Sequence, residues 1–248
     1  MPQRFEDLPS TEQQAIRASG ATLTELAFEY TTTALIAGRA KPGSIIQSAS
    51  GLILRVTDGL AFLTAWHVVD AYLTRAENEA PLFFYVGEEP LSSIDLLFTD
   101  EDNDIALVRL PEPRRPLLAR IYEAFVWPPP RPSVGNAVFF AGFPAAFRQR
   151  PDHVNLEFKD FAGLLPVTVV GEQHFVCQFS RENWISLGYD PIPSPGTDLG
   201  GLSGAPVFLR GQLAHPLVGV VSEFNQSYEL LHIKMLDHLP TDLVPQAT

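Results

Sequence analysis

The sequence predicts an all-β chain in two β-rich halves, preceded by a short helical N-terminal extension. Three observations lead there. Short runs rich in apolar and β-branched residues recur from Thr31 to Met235. Turn formers are abundant: 22 of 248 residues are proline, about 9% against a usual ~5%, and 17 are glycine. Two proline-rich stretches, 111–116 and 128–132, divide the apolar runs into two sets of similar size. With 46% hydrophobic and 19% charged residues, the chain has the material for a sizeable core and not the composition of a disordered segment.

The extension comes first. Ser10-Thr11-Glu12-Gln13 has the form of a capping box, Ser10 as N-cap and Gln13 reaching back, which predicts a helix over 11–18. Leu23, Leu26, Ala27 and Tyr30 follow at helical spacing and predict a second amphipathic turn or two. These helices are expected to pack on the outside of the main fold; a docking or regulatory segment is the alternative.

Strands are expected at 31–36 and 50–56, the second closed by the hairpin signal Thr57-Asp58-Gly59. The run 60–69 reads as the next strand, with a helical turn over 69–73, and further strands follow at 82–86, 94–98 and 105–110. Past the proline-rich break and its apolar stretch 117–127, strands resume at 137–140, 154–158, 165–170, 174–179, 206–209, 217–224 and 228–235. The expected division is an extension over 1–30, a first half over 31–126 and a second over 127–248. The halves look duplicated in architecture, without a sequence repeat.

Charge and cysteine content narrow the partners. Seventeen Lys and Arg against 29 Asp and Glu leave a net charge of −12, which argues against nucleic acid or an anionic membrane as the main partner. The single cysteine, Cys177, excludes an internal disulfide and a multi-cysteine zinc site. No basic stretch followed by an apolar one opens the chain, and no run nears the ~18 apolar residues of a membrane span. The expected address is the cytoplasm.

Three segments carry chemistry. Phe62-Leu63-Thr64-Ala65-Trp66-His67 puts a histidine at the end of an apolar strand, where a side chain can face a cleft; alone, such a histidine is more often a satisfied core residue. Asp102-Asn103-Asp104-Ile105-Ala106-Leu107 puts an aspartate ahead of an apolar strand, which alone reads as a turn residue. Asp198-Leu199-Gly200-Gly201-Leu202-Ser203-Gly204-Ala205-Pro206 flanks a serine with glycines that permit positive φ and can aim N–H groups inward, as an oxyanion hole requires. Its bland counterpart is a glycine-rich turn with an incidental serine.

Taken together and in order, Leu63-Thr64-Ala65-Trp66-His67, Asp104-Ile105-Ala106-Leu107 and Gly201-Leu202-Ser203-Gly204-Ala205-Pro206 resemble the hallmarks of the trypsin-like serine peptidases of the chymotrypsin fold. Ser50-Gly51-Leu52-Ile53-Leu54 and Gly142-Phe143-Pro144 are supporting matches, and the resemblance spans roughly 31–236. It implies two six-stranded antiparallel β-barrels, with His67 and Asp104 from the first and Ser203 from the second. It also implies roles: Ser203 as nucleophile, His67 as general base and acid, Asp104 as the group orienting the imidazole, and the N–H groups of Gly201 and Ser203 as the oxyanion hole. By the same layout Thr197 and Asp198 lie at the base of the specificity pocket. Ser222 and Phe224 lie on the strand that pairs with substrate, with Ser222 near Asp104. Phe224, in place of a frequent glycine, implies a small or uncharged P1 side chain; Asp198, pointing inward, would favour Arg or Lys. No cofactor or metal is called for, and His153, His174, His215, His232 and His238 are expected to be structural or at the surface.

The departures from the family are informative. Leu202 stands where the digestive enzymes carry the aspartate that receives a new N-terminus, so activation by N-terminal insertion is not expected. The absence of disulfides is similar to prokaryotic HtrA-type and glutamyl-endopeptidase-like groups, and no PDZ domain is expected after Thr248. The reading is a serine endopeptidase acting on protein or peptide substrates, restrained by a misformed oxyanion hole that a protein activator corrects. The alternative is a catalytically silent binding module on the same fold; an esterase or acyl-transfer activity is a third. An α/β-hydrolase fails because Ala205 interrupts Gly-x-Ser-x-Gly and no suitable Asp-then-His follows.

Overall fold

The computed structural model describes residues 7–38, 46–91, 93–111, 119–152, 155–179, 193–194, 196–211 and 214–245. One helix, α1 (Ser10–Tyr30), replaces the two expected. Pro9, with φ −54, precedes its first turn, and no side chain caps it. The capping box is absent: Ser10 is already helical, and the Gln13 side chain donates to the Leu8 carbonyl at 2.9 Å. Gly20, Leu23 and Ala27 form the buried face. Gly20 costs helix stability (roughly 0.5–1 kcal/mol) but lies on the docked side, where burial of its neighbours offsets that cost and keeps the two segments continuous. Thr31 ends the helix, its hydroxyl donating to the Ala27 carbonyl at 2.7 Å.

The chain then runs directly into the first half: β1 (Thr31–Gly38), β2 (Ile46–Val56), β3 (Gly59–Thr64), α2 (Trp66–Ala76), β4 (Leu82–Val86), β5 (Glu89–Leu91), β6 (Leu96–Asp100) and β7 (Ile105–Leu110). These seven strands form one antiparallel sheet in the order β5-β4-β1-β2-β3-β7-β6. The expected first six-stranded barrel is therefore an open half-barrel with seven strands. Its edges are weak: β5 is three residues long and carries Pro90, and β6 is largely solvent-facing. The β2–β3 hairpin turns at Thr57 and Asp58, with Val56 opposite Gly59. The strand expected over 60–69 stops at Thr64, and Trp66 onward is helix.

The second half is the expected six-stranded closed barrel. Its strands are β8 (Ala137–Gly142), β9 (Phe161–Val170), β10 (His174–Gln178), β11 (Pro206–Leu209), β12 (Leu217–Asn225) and β13 (Leu230–Met235), in the order β10-β13-β12-β11-β8-β9. The strand expected over 154–158 reduces to a single bridge, Gln149 to Glu157, with 154 outside the described residues.

Three apolar layers follow from strand alternation. Ile53, Phe62, Ala106 and Val108 pack with Val68, Val69 and Tyr72 of α2. Alternate residues of the same strands, Leu52, Leu54, Leu63 and Leu107, join Phe139, Phe208, Leu217 and Val220 of the barrel and Leu23 and Ala27 of α1. This layer glues the halves together. The barrel interior holds Val138, Phe140, Phe175, Cys177, Leu202, Leu231 and Ile233. In the crossover, Tyr122 bridges to Leu54, and its hydroxyl accepts the Leu217 N–H at 2.9 Å. No described helix is long and apolar enough to cross a membrane.

Candidate active site

His67 sits in the first turn of α2, not at a strand end. The N-cap position, Ala65, has no side chain able to satisfy the exposed N–H groups of that turn. Asp104 supplies the acceptor from the turn before β7. Its Oδ1 takes the His67 backbone N–H at 2.9 Å, and its two oxygens lie 3.0 and 2.9 Å from His67 Nδ1. One carboxylate thus caps the helix, a favourable place for negative charge, and fixes the imidazole by Nδ1. The His67 side chain is 51% exposed and that of Asp104 20%, so the ring is open to a ligand while its anchor is shielded.

Asp104 adopts φ +52, in the left-handed region that Asp tolerates better than most residues. The turn is fixed from its other end. Asp100 Oδ1 accepts the Asn103 N–H at 3.0 Å, and Oδ2 accepts the Asn103 side-chain amide at 2.7 Å. His238 Nε2 lies 3.1 Å from Asp100 Oδ2. Burial pushes the Asp100 carboxyl up, but the two Asn103 bonds and His238 outweigh it and hold the group below its ordinary range.

Ser203 comes from the loop before β11, on the barrel side of the same cleft. Gly201 (φ +100) and Gly204 (φ +84) flank it. Gly204 has no room for a side chain, since a Cβ there would lie 2.1 Å from the Ser50 carbonyl oxygen and 2.2 Å from Thr64 Oγ1. The Ser203 hydroxyl donates to the Ser222 carbonyl at 3.2 Å and makes no hydrogen bond to His67. Ser222 lies in a β-bulge of β12, where the register to β13 slips between Val221 and Glu223, and the bulge turns its carbonyl toward Ser203.

A cleft of about 480 Å³ gathers His67, Asp104, Asp198, Ser203, Ser222 and Phe224. Six of the eight predicted residues thus meet in one place. Gly201 and Thr197 are not in its lining. Thr197 closes a local turn on the Ser194 carbonyl (2.8 Å), and the Asp198 carboxylate accepts the Gly200 N–H at 2.7 Å. Ser222 is in the cleft, but its hydroxyl faces the His232 carbonyl at 3.5 Å, with no bond to Asp104. Phe224 packs edge-on against Phe179, with ring centroids 5.4 Å apart. Sequence reasoning passed over Glu223 and Lys234, which also line the cleft. Lys234 Nζ donates to the Asp102 carbonyl at 3.3 Å; its only sequence signal was a lysine inside an apolar strand. Among the described residues no three His, Cys, Asp or Glu side chains converge as a metal site would require.

No protein-family model matches the sequence, and no curated protein does. Solved structures do. The Rv3671c protease from M. tuberculosis, in its active form, is 13% identical, with 92% of this chain and 88% of that one aligned at a TM-score of 0.50. The serine endoprotease from Yersinia pestis is 14% identical at a TM-score of 0.49; 94% of this chain aligns with it but spans only 64% of that protein's length. At such identities the first likeness is one of fold, a chymotrypsin-like double barrel with one barrel closed and the other open.

Proposed function

We propose that the protein is a serine endopeptidase that hydrolyses peptide bonds in protein or peptide substrates. One observation carries the reading: a cleft between the halves brings Ser203 together with an imidazole that a carboxylate grips through Nδ1. In the proposed cycle, Ser203 Oγ attacks the scissile carbonyl carbon while His67 Nε2 takes the hydroxyl proton. Asp104 keeps the other imidazole proton on Nδ1 and stabilises the imidazolium as it forms. The N–H groups of Gly201 and Ser203 receive the oxyanion. His67 then returns its proton to the leaving amine, and water, activated by the same imidazole, hydrolyses the acyl-enzyme.

Before attack the Ser203 side chain has to turn from the Ser222 carbonyl to the imidazole. A protein activator remains in the proposal, with this hydroxyl rather than the backbone loop as the part that moves. For specificity, the Phe224–Phe179 pair supports a small or uncharged P1 side chain. Asp198, already engaged with Gly200 N–H, is a weak attractor for Arg or Lys. The proposed address is the cytoplasm.

Incubation of the purified protein with an unstructured peptide library tests this reading. Cleavage by wild type that disappears in Ser203→Ala supports it. Ester hydrolysis without peptide cleavage moves the assignment to an esterase, and no turnover alone or with cell lysate leaves the silent binding module. Full activity of the isolated protein removes the activator.

A further inference from the structure

Ser50 makes two of the hydrogen bonds that hold the Ser203 loop from outside, and we infer that it is a positioning residue for the two backbone donors. The inference rests on the serine-peptidase reading. Every carbonyl from Gly200 to Ser203 is already claimed. Gly200 oxygen accepts the Ala145 N–H (2.6 Å), Leu202 oxygen the Ala205 N–H (2.8 Å) and Ser203 oxygen the Ser50 N–H (2.9 Å). Gly201 oxygen accepts the Ser50 hydroxyl at 2.8 Å. In a planar trans peptide the C=O and N–H point in opposite directions. Fixing the carbonyls of Gly200 and Leu202 therefore aims the N–H groups of Gly201 and Ser203 away from those partners. Neither N–H has a hydrogen-bond partner among the described residues.

Ser50 supplies two of the four clamps. It holds the Gly201–Leu202 peptide, which lies between the two donors, and the peptide that follows Ser203. Its hydroxyl has a single proton, given to Gly201 oxygen, and accepts the Phe143 N–H at 2.9 Å, so its orientation is determined. The Thr64 hydroxyl pins the Ser50 carbonyl at 2.8 Å, just ahead of the turn into His67. Ser50 is fully buried and touches no reacting atom. Its part is to tie the sheet that carries His67 to the loop that carries Ser203 and to hold the peptides that carry and link the two donors.

The test compares two reactions of the intact protein. A fluorophosphonate probe is attacked by Ser203 Oγ: an O–P bond forms, fluoride leaves and the hydroxyl proton passes through His67, while the phosphoryl oxygen seeks the two N–H groups. Diethyl pyrocarbonate instead carbethoxylates the exposed His67 imidazole and needs neither donor. In Ser50→Ala the phosphonylation rate should fall about tenfold or more, since misdirecting one donor approaches the effect of deleting it. Carbethoxylation of His67, read by peptide mass spectrometry, should stay within twofold of wild type. If the alanine variant does not fold, Ser50→Cys places a weaker donor in nearly the same volume and should slow phosphonylation at least threefold. Phosphonylation within twofold of wild type in the folded variants, or equal slowing of both reactions, overturns the role of Ser50 and leaves the peptidase reading standing. Failure of wild type to phosphonylate both alone and with cell lysate overturns both.

Discussion

Asp104 does two jobs with one carboxylate, and variants separate them. Asparagine keeps an oxygen for the His67 N–H but cannot stabilise an imidazolium, so Asp104→Asn should lower turnover by about 10³–10⁴ while thermal unfolding shifts little. Alanine also removes the cap of α2, at roughly 1 kcal/mol, and still pays for the left-handed backbone at φ +52. Glycine relieves that backbone cost. Urea denaturation should therefore find Asp104→Gly more stable than Asp104→Ala by about 1 kcal/mol, the reverse of the order inside a helix or strand. That His67, Asp104 and Ser203 would share a cleft was legible because three motifs stand in the order that one fold, rather than the chemistry, imposes. The direction of the Ser203 hydroxyl was not, since a bulge in a distant strand sets it.

At the scale of elements, the segment 60–69 shows why local patterning misleads. Residues 61–65 are buried without interruption, as are Val68 and Val69, so neither a period of 2 nor one of 3.6 stands out. The switch to helix at Trp66 depends on a cap brought by Asp104 from the distant turn before β7, which no local window contains. The converse error occurs at Ser10, where a local capping signal goes unused because Pro9 already starts the helix. The open first sheet was equally unreadable, because closure depends on whether its short edge strands can pair. The turn 101–104 gives the element-scale prediction. Asp100→Ala removes both bonds to Asn103 and the partner of His238, so turnover should drop about tenfold, within the range that misplacing a catalytic group produces. The acid limb gives a second readout. The Asp100 carboxyl is held below its ordinary value in the folded protein, so its contribution is present above the unfolded value and lost as pH falls through the folded one. Wild type should lose stability below about pH 4 more steeply than Asp100→Ala does in urea titrations at several pH values.

For the whole molecule, one apolar layer is shared by α1, the first sheet and the barrel, and the halves are expected to unfold together. Tyr122 is a member of it that carries a hydroxyl. Burial pushes its hydroxyl from an ordinary value of 10.0 up to about 12, and burial alone pushes the Cys177 thiol from 9.0 up to about 12. In the unfolded chain these groups lose their protons near the ordinary values, whereas the folded protein keeps them. The unfolded state therefore gains relative to the folded one, and stability falls as pH rises from about 9 to about 12. Tyr122→Phe should be less stable by about 1–2 kcal/mol at neutral pH, because the Leu217 N–H loses its acceptor. Its stability should also decline less steeply above pH 10, in the same urea titrations. The division into two β-rich parts was legible from the proline-rich crossover. That one helix and one tyrosine bind them together was not, because those contacts join residues far apart in sequence.

Every step of the proposed cycle rests on Ser203 acting as a nucleophile. The sharpest test is intact-mass spectrometry after exposure to a fluorophosphonate, alone and with cell lysate as the source of an activator, with peptide mapping of any adduct. One adduct per chain is expected, on Ser203, lost in Ser203→Ala and strongly slowed in His67→Ala. No adduct on wild type either alone or with lysate, or an adduct that persists in Ser203→Ala, would overturn the nucleophile.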